Sequence, residues 1–334
     1  MPLNLKPSKT FHNYLENMTN SLRELEFSDV RLAHDRIKNH INKTPIFNSE
    51  KLDKKLGAKI FFKLENEQQT SSFKARGAFN AILSYQEKYG KLPEKVVAQS
   101  AGNHAQAVAY ACKKFNIPAL IYVAANTSPF KIEATRKLGA EVVLCEKRAE
   151  ANRLSEEKQK EGYFFIHPSA NNDVILGQAT ATLEGLEEVS EIAAIFAPCG
   201  GGGLISGAYL ASLGLAKNAK VFGCEPLNGN DAARSVKLGK IVGYENSPDT
   251  IADGARTLAV AEPCFTYLKK LAGILEISEE QILFWQKEFS EAFGRKIEPT
   301  SALSLAGIAQ FLEKNPESKN SKFLAIISGG NLAN

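Results

Sequence analysis

Val96-Val97-Ala98-Gln99-Ser100-Ala101-Gly102-Asn103-His104 is a short apolar strand, a turn of small residues and the opening of a helix. The same order recurs directly after it. A helix over Asn103–Phe115 leads to a strand at Ala119–Ala125, then a helix over Lys131–Leu138 and a strand at Glu141–Glu146. Strands alternating with helices predict a parallel sheet, because a helical crossover lets each strand run in the same direction as the last. Upstream, Lys59–Leu64 fits a buried strand. Ser28 or Asp29 is placed to cap a helix reaching about Asn42, with Val30, Ala33, Ile37 and Ile41 on one face. Downstream lies a second alternating series: a helix from about Gln178 to Val189, strand Ile192–Ala197, helix Leu204–Leu213, strand Lys220–Glu225 and a last strand at Phe323–Ile327.

Two strand–helix turns in this pattern carry chemistry. Gly200-Gly201-Gly202-Gly203 follows an apolar strand and precedes a helix. Glycines there let backbone N–H groups converge, and the helix start adds positive potential, so the loop is a candidate phosphate cradle. Its spacing is not Gly-x-Gly-x-x-Gly, which argues against a dinucleotide site. The turn at Ser100–His104 offers a second set of free amides suited to a carboxylate. For His104 itself, a packed histidine at a helix start is the expectation rather than a catalytic one.

Lys74 lies between Phe73 and Ala75-Arg76-Gly77, beside the hydroxyl residues Thr70, Ser71 and Ser72. An amine against an aromatic ring loses hydration, its charged form is disfavoured, and the neutral amine is a nucleophile for carbonyl groups.

With 334 residues, 44% hydrophobic and 23% charged, the chain suits a globular protein of two lobes. The net charge of +4 is dispersed, without a basic block, so nucleic acid is not indicated. No window has the apolar length of a membrane helix, and the opening residues lack a signal peptide's apolar stretch. Cys112, Cys145, Cys199, Cys224 and Cys264 are far apart among apolar neighbours, as expected for reduced core residues in a cytoplasmic protein.

Taken in order, Phe73-Lys74-Ala75-Arg76-Gly77, Ser100–His104, Gly200–Gly203 and Ser328-Gly329-Gly330-Asn331, together with Glu298-Pro299, resemble the threonine/serine dehydratases (ammonia-lyases) and the related serine racemases. The resemblance implies an α/β fold-type-II pyridoxal-phosphate enzyme, tryptophan synthase β-like, with two open twisted parallel-sheet lobes covered by helices. It implies an N-terminal arm at 1–27, a large coenzyme-binding domain at 28–94 and 166–334, and a small domain at 95–165. It also implies that Lys74 holds pyridoxal 5'-phosphate, assisted by Phe73, Asn103, Gly200–Gly203 and Ser328. Ser100, Ala101, Gly102, Asn103 and His104 would bind substrate. Glu225, Gly229 and Asp231 would bind Mg2+ or Ca2+, a salt-bridged or solvated acidic loop being the equal alternative. A homodimer is expected.

The expected reaction is β-elimination from a β-hydroxy amino acid such as threonine or serine, giving 2-oxobutanoate or pyruvate plus ammonia. Replacement chemistry of the cysteine synthase kind and a non-catalytic amino-acid-binding protein are the rivals. Racemases of this group carry a serine where this chain has Ala101, which argues for elimination. Arg256, in Asp253-Gly254-Ala255-Arg256-Thr257, is placed by sequence to reach a second acidic group, so 3-hydroxyaspartate stays open as substrate.

Overall fold

The structure, a computed structural model, describes residues 23–100, 102–125 and 127–332. Its helices are α1 (Phe27–Ile37), α2 (Glu50–Leu56), α3 (Lys74–Tyr89), α4 (Asn103–Phe115), α5 (Pro129–Lys137), α6 (Arg148–Lys160), α7 (Asn172–Glu188), α8 (Gly203–Leu215), α9 (Asp231–Leu238), α10 (Glu262–Leu268), α11 (Glu279–Phe293) and α12 (Pro299–Lys314). The strands are β1 (Ile46–Asn48), β2 (Lys59–Leu64), β3 (Val96–Gln99), β4 (Ala119–Ala124), β5 (Glu141–Cys145), β6 (Phe164–Phe165), β7 (Ile192–Pro198), β8 (Lys220–Pro226), β9 (Gly273–Ile277) and β10 (Lys322–Ile327).

They form two sheets. One has the order β5-β4-β3-β6 and is parallel throughout. The other runs β1-β2-β10-β7-β8-β9, parallel except for the antiparallel β1–β2 pair. The second sheet is covered on both faces. Residues of α7, α8 and α10 build one apolar layer and those of α11 and α12 the other, which is why β7 and β10 are apolar nearly throughout instead of alternating. The five cysteines are buried and unpaired, as expected.

Two local expectations are corrected. The first helix runs from Phe27 to Ile37, not to Asn42, and Glu26 rather than Ser28 or Asp29 occupies the cap; Asp29, in the first turn, accepts from the Glu26 amide at 2.8 Å. Helix α7 begins at Asn172, six residues before the expected start, because the Asn171 side chain caps it by accepting from Val174 N (3.1 Å). That extension places Gly177 inside α7, against α3. A Cβ on Gly177 would lie 2.4 Å from the Arg76 carbonyl, so the two helices approach as closely as backbone allows. Lys74 is thereby carried on a helix seated hard against its neighbour.

Candidate active site

The segment before α3 pairs with the segment after β10. Ser72 bridges Gly329, Phe73 N donates to Ser328 O (3.1 Å), and Gly330 N donates to Ser71 O (2.9 Å). Thr70 and Ser71 adopt left-handed φ of 60° and 52°, a conformation costing non-glycine residues of order 1–3 kcal/mol each. Asn331 Nδ2 helps hold it by donating to Thr70 O (2.8 Å).

Lys74 opens the helix from this strained turn. Its Nζ donates to Pro168 O at 3.1 Å and sits 4.9 Å from the Phe73 ring centroid. No carboxylate among the described residues pairs with it. Burial brings the amine down to about 8; the distant Cys264 thiol works against the shift and the Arg148 charge adds to it. A substantial fraction is neutral near physiological pH, the state a carbonyl nucleophile requires.

Behind Lys74 the helix is anchored by buried charge. The Arg76 guanidinium donates to Glu65 Oε2 (2.7 Å) and Oε1 (2.9 Å), to Glu184 Oε1 and Oε2 (both 2.8 Å), and to Thr180 Oγ1 (3.1 Å). Lys63 Nζ donates to Glu184 Oε2 and to Thr44 O, both at 2.6 Å. Two cations and two carboxylates balance in a fully buried group. Burial opposes the Arg76 charge, and Glu65 and Glu184 outweigh it, so its pKa stands above the ordinary arginine value.

Asn103, the first residue of α4, is held from two sides. Its Nδ2 donates to both oxygens of Glu298 (2.9 and 3.0 Å), and its Oδ1 accepts from Asn331 Nδ2 (2.9 Å). Burial pushes the Glu298 carboxyl up to about 7, against the hydrogen bond from Asn103, with Asp253 pushing further upward. Ser100 Oγ accepts from Gly102 N at 3.2 Å, which shapes the turn; Ala101 lies outside the described residues. His104 is the packed histidine expected: buried, with Nε2 donating to Ile166 O at 2.8 Å, and brought down to about 3 by burial and then by Lys74. It stays neutral and is not an acid–base group.

Gly200–Gly203 joins β7 to α8, and each glycine meets a neighbour. A Cβ on Gly201 would fall 2.4 Å from Ser169 Oγ, one on Gly202 2.7 Å from Cys264 Cβ, and one on Gly203 2.6 Å from Gln178 Oε1. Gly202 also has φ +91°. Ser169 thus puts a hydroxyl on the loop, next to Pro168, whose carbonyl receives Lys74. Sequence reasoning missed Ser169, Pro168 and nearby His167, which belong to no motif. Replacing Gly201 by aspartate is expected to force Ser169 away and add negative charge to the cradle. Purified G201D should lose pyridoxal phosphate on dialysis where the parent keeps it; equal retention would take phosphate binding away from this loop.

Ser328 closes the opposite side. Its Oγ is 3.1 Å from Ser301 Oγ; Ser301 also donates to Gly329 O (2.7 Å) and accepts from Gly329 N (2.8 Å). With the Ser301 proton committed to Gly329, Ser328 is the donor in their contact, and its hydroxyl rotates away from Ser301 when another acceptor is offered.

The remaining sequence candidates lie elsewhere. Glu225 lies next to the end of β8 and accepts from Ala232 N (3.1 Å) and Ala233 N (2.7 Å) at the start of α9, with Gly229 in the intervening turn. Burial raises Glu225 to about 9 and Asp231 to about 7, and Asp231 Oδ2 is buried without a partner. Among the described residues no three His, Cys, Asp or Glu side chains gather to hold a metal ion. Arg256 departs from expectation: it is exposed, and its Nε is spent on Thr250 O at 2.6 Å. None of the described helices is long and apolar enough to cross a membrane.

A desolvated lysine, a glycine cradle backed by a hydroxyl, and a neutral hydroxyl donor opposite describe a site for an aldehyde coenzyme that carries a phosphate. The chain belongs to the pyridoxal-phosphate dependent enzyme family, which residues 37–329 match. It is 38% identical to the L-threo-3-hydroxyaspartate ammonia-lyase of Saccharomyces cerevisiae, covering 92% of this chain and 93% of that one. It is 37% identical to the serine racemase of Schizosaccharomyces pombe, covering 94% and 97%. The solved structure of the processed form of threonine deaminase isoform 2 from Solanum lycopersicum superposes with a TM-score of 0.81 at 31% identity, over 99% of this chain and 92% of that one. The fold is that of a fold-type-II pyridoxal-phosphate enzyme.

Proposed function

We propose that the protein is an ammonia-lyase that converts a β-hydroxy amino acid to a 2-keto acid and ammonia, one water leaving in the elimination and one returning on hydrolysis. The observation that carries this reading is the Lys74 amine, desolvated and without a counter-ion among the described residues, bonded to Pro168 O next to the Ser169 hydroxyl that backs the cradle. The residues present fit pyridoxal phosphate: Lys74 for its aldehyde, Gly200–Gly203 and Ser169 for its phosphate, Asn103 for its ring hydroxyl, Ser328 for its ring nitrogen, with Phe73 beside the lysine. Bound there, the coenzyme supplies an electron sink for the pair released at Cα.

The chain's own residues do the rest. The amides of Ser100–His104 hold the substrate carboxylate at the start of α4. Lys74 would take the Cα proton. Ser328 would hydrogen-bond the ring nitrogen, and a hydroxyl, unlike a carboxylate, would not hold a proton there, tempering the sink and favouring loss of the β-hydroxyl over side reactions. The hydroxyl leaves as water, and the released enamine hydrolyses to keto acid and ammonia. Glu225, the Gly229 carbonyl and Asp231 are proposed to take Mg2+ or Ca2+, with the unpartnered Asp231 oxygen as one ligand. A homodimer is proposed on the same resemblance, and a cytoplasmic location on the unpaired buried cysteines.

Inversion at Cα needs a second proton donor on the face away from Lys74, and alanine at position 101 has none. Ala101→Ser is therefore expected to raise the ratio of D-serine to pyruvate formed from L-serine. A parent enzyme that racemises serine as fast as it eliminates water would refute the assignment. The reading as a whole is tested by measuring keto acid and ammonia from L-serine, L-threonine and L-threo-3-hydroxyaspartate. Stoichiometric release from at least one is expected, and release from none sinks it.

A further inference from the structure

Arg148 is the one described arginine that is neither exposed nor paired with a carboxylate. Arg23, Arg31, Arg36, Arg76, Arg153 and Arg295 each have an acidic partner. Arg136, Arg234 and Arg256 are exposed to solvent, where a charge needs no partner. Arg148 is the first residue of α6, and it spans from the β5–α6 connection to the loop carrying Asp253–Thr257. There its Nη1 donates to the Arg256 carbonyl at 2.7 Å. That loop adjoins the glycine cradle: a Cβ on Gly200 would touch Ala255 and Gly254, and one on Gly201 would reach Thr257.

A guanidinium has five N–H donors, and this one spends a single Nη on protein, leaving a paired face free. Such a face matches a carboxylate bidentately. Burial depresses the Arg148 pKa with no acid opposing it, and its charge is felt at both Lys74 and His167. A partly buried cation without an acidic partner among the described residues gains when an anion arrives with the ligand.

We propose that Arg148 binds a second, distal carboxylate of the substrate, so that the preferred β-hydroxy amino acid is a dicarboxylic one of the 3-hydroxyaspartate kind. The proposal rests on the ammonia-lyase reading and names the substrate class for it. The α-carboxylate docks at Ser100–His104, and the β-carbon, with its hydroxyl and carboxylate, extends toward α6 and the Arg256 carbonyl. The products are oxaloacetate and ammonia: the β-hydroxyl leaves as water, and a second water hydrolyses the resulting imine. Sequence left Arg256 open for this contact; in the structure its side chain is exposed with Nε donating to Thr250 O, while the partly buried Arg148 is held by the Arg256 carbonyl.

The experiment compares holoenzyme of the parent, Arg148→Ala, Arg148→Lys and Arg256→Ala. Arg148→Ala should lower kcat/KM for L-threo-3-hydroxyaspartate roughly 10–10²-fold, the ordinary range for one charge-assisted contact, with serine altered far less. Arg148→Lys should recover part of the loss, and Arg256→Ala should resemble the parent. An equal loss on both substrates, or loss of coenzyme from Arg148→Ala on gel filtration, would assign the residue to the coenzyme phosphate or to the loop contact and overturn the proposal. A second measurement needs no turnover. Calorimetric titration with L-aspartate and L-alanine, neither of which has a β-leaving group, should show the parent preferring aspartate and Arg148→Ala losing that preference. No preference in the parent overturns the proposal. A preference with no keto acid from any substrate supports the anchor while the ammonia-lyase reading falls.

Discussion

Lys74→Ala is expected to abolish keto-acid release and the visible absorbance of bound coenzyme together. The loss of a positioned proton acceptor alone is worth roughly 10²–10⁴-fold in rate, and here the covalent anchor goes with it. Nothing among the described residues stands ready to substitute. His104 and His167 are held neutral, at about 3 and about 4, by burial and then by Lys74 itself; His104 is locked on Ile166 O, and His167 Nδ1 accepts from Ser169 N and Ala170 N. The check is a visible spectrum before and after borohydride, alongside a keto-acid assay. A reducible chromophore surviving in the variant would place the coenzyme lysine elsewhere.

Arg76→Ala should produce the largest loss of stability. Removing the guanidinium leaves Glu65 and Glu184 facing Lys63 alone, a net negative charge sealed in the interior. Breaking a buried ion network from one side costs about 3–5 kcal/mol, because the abandoned partners remain desolvated. The thermal midpoint should drop by many degrees, and turnover should fall as α3 loosens and Lys74 loses its position. An unchanged midpoint would show that water enters to solvate the acids, and would remove this group as the anchor of α3.

Local pattern made much of the frame legible. Val96–Gln99 and Asn103–Phe115 coincide with β3 and α4, and most other expected strands fall within a residue of their observed ends, because apolar runs and strand–helix alternation are local signals. Helices α11 and α12 went unread although Ser278 and Gln281 form a capping box, a recognisable start. β9 is only partly buried along most of its length and carries no clear period. The site divides in the same manner. Glycine loops and the Lys74 motif are contiguous and can be recognised by eye. The bonds that assemble them, Phe73 N to Ser328 O and Asn103 to Glu298 and Asn331, join distant segments that periodicity cannot relate. Ser169 and Arg148 sit in no motif, and only the three-dimensional arrangement brings them to the cradle. Arg256 shows the converse: its place in the sequence was suggestive, but its side chain is exposed and its Nε donates to a backbone carbonyl.

The position of β10 has a consequence for how the protein is made. This strand is threaded between β2 and β7 and completes a sheet whose other strands were synthesised long before. A ribosome releases β3 to β6 as one run, so that smaller sheet assembles while translation continues. The larger one waits as two open halves, β1–β2 and β7–β9, each with an unsatisfied edge that other chains are able to capture. Since Ser328 and Gly329 follow β10 directly and fasten the turn that holds Lys74, coenzyme loading is expected to be a late event of biogenesis. Nascent chains stalled before Lys322 should be clients of chaperones rather than acceptors of pyridoxal phosphate.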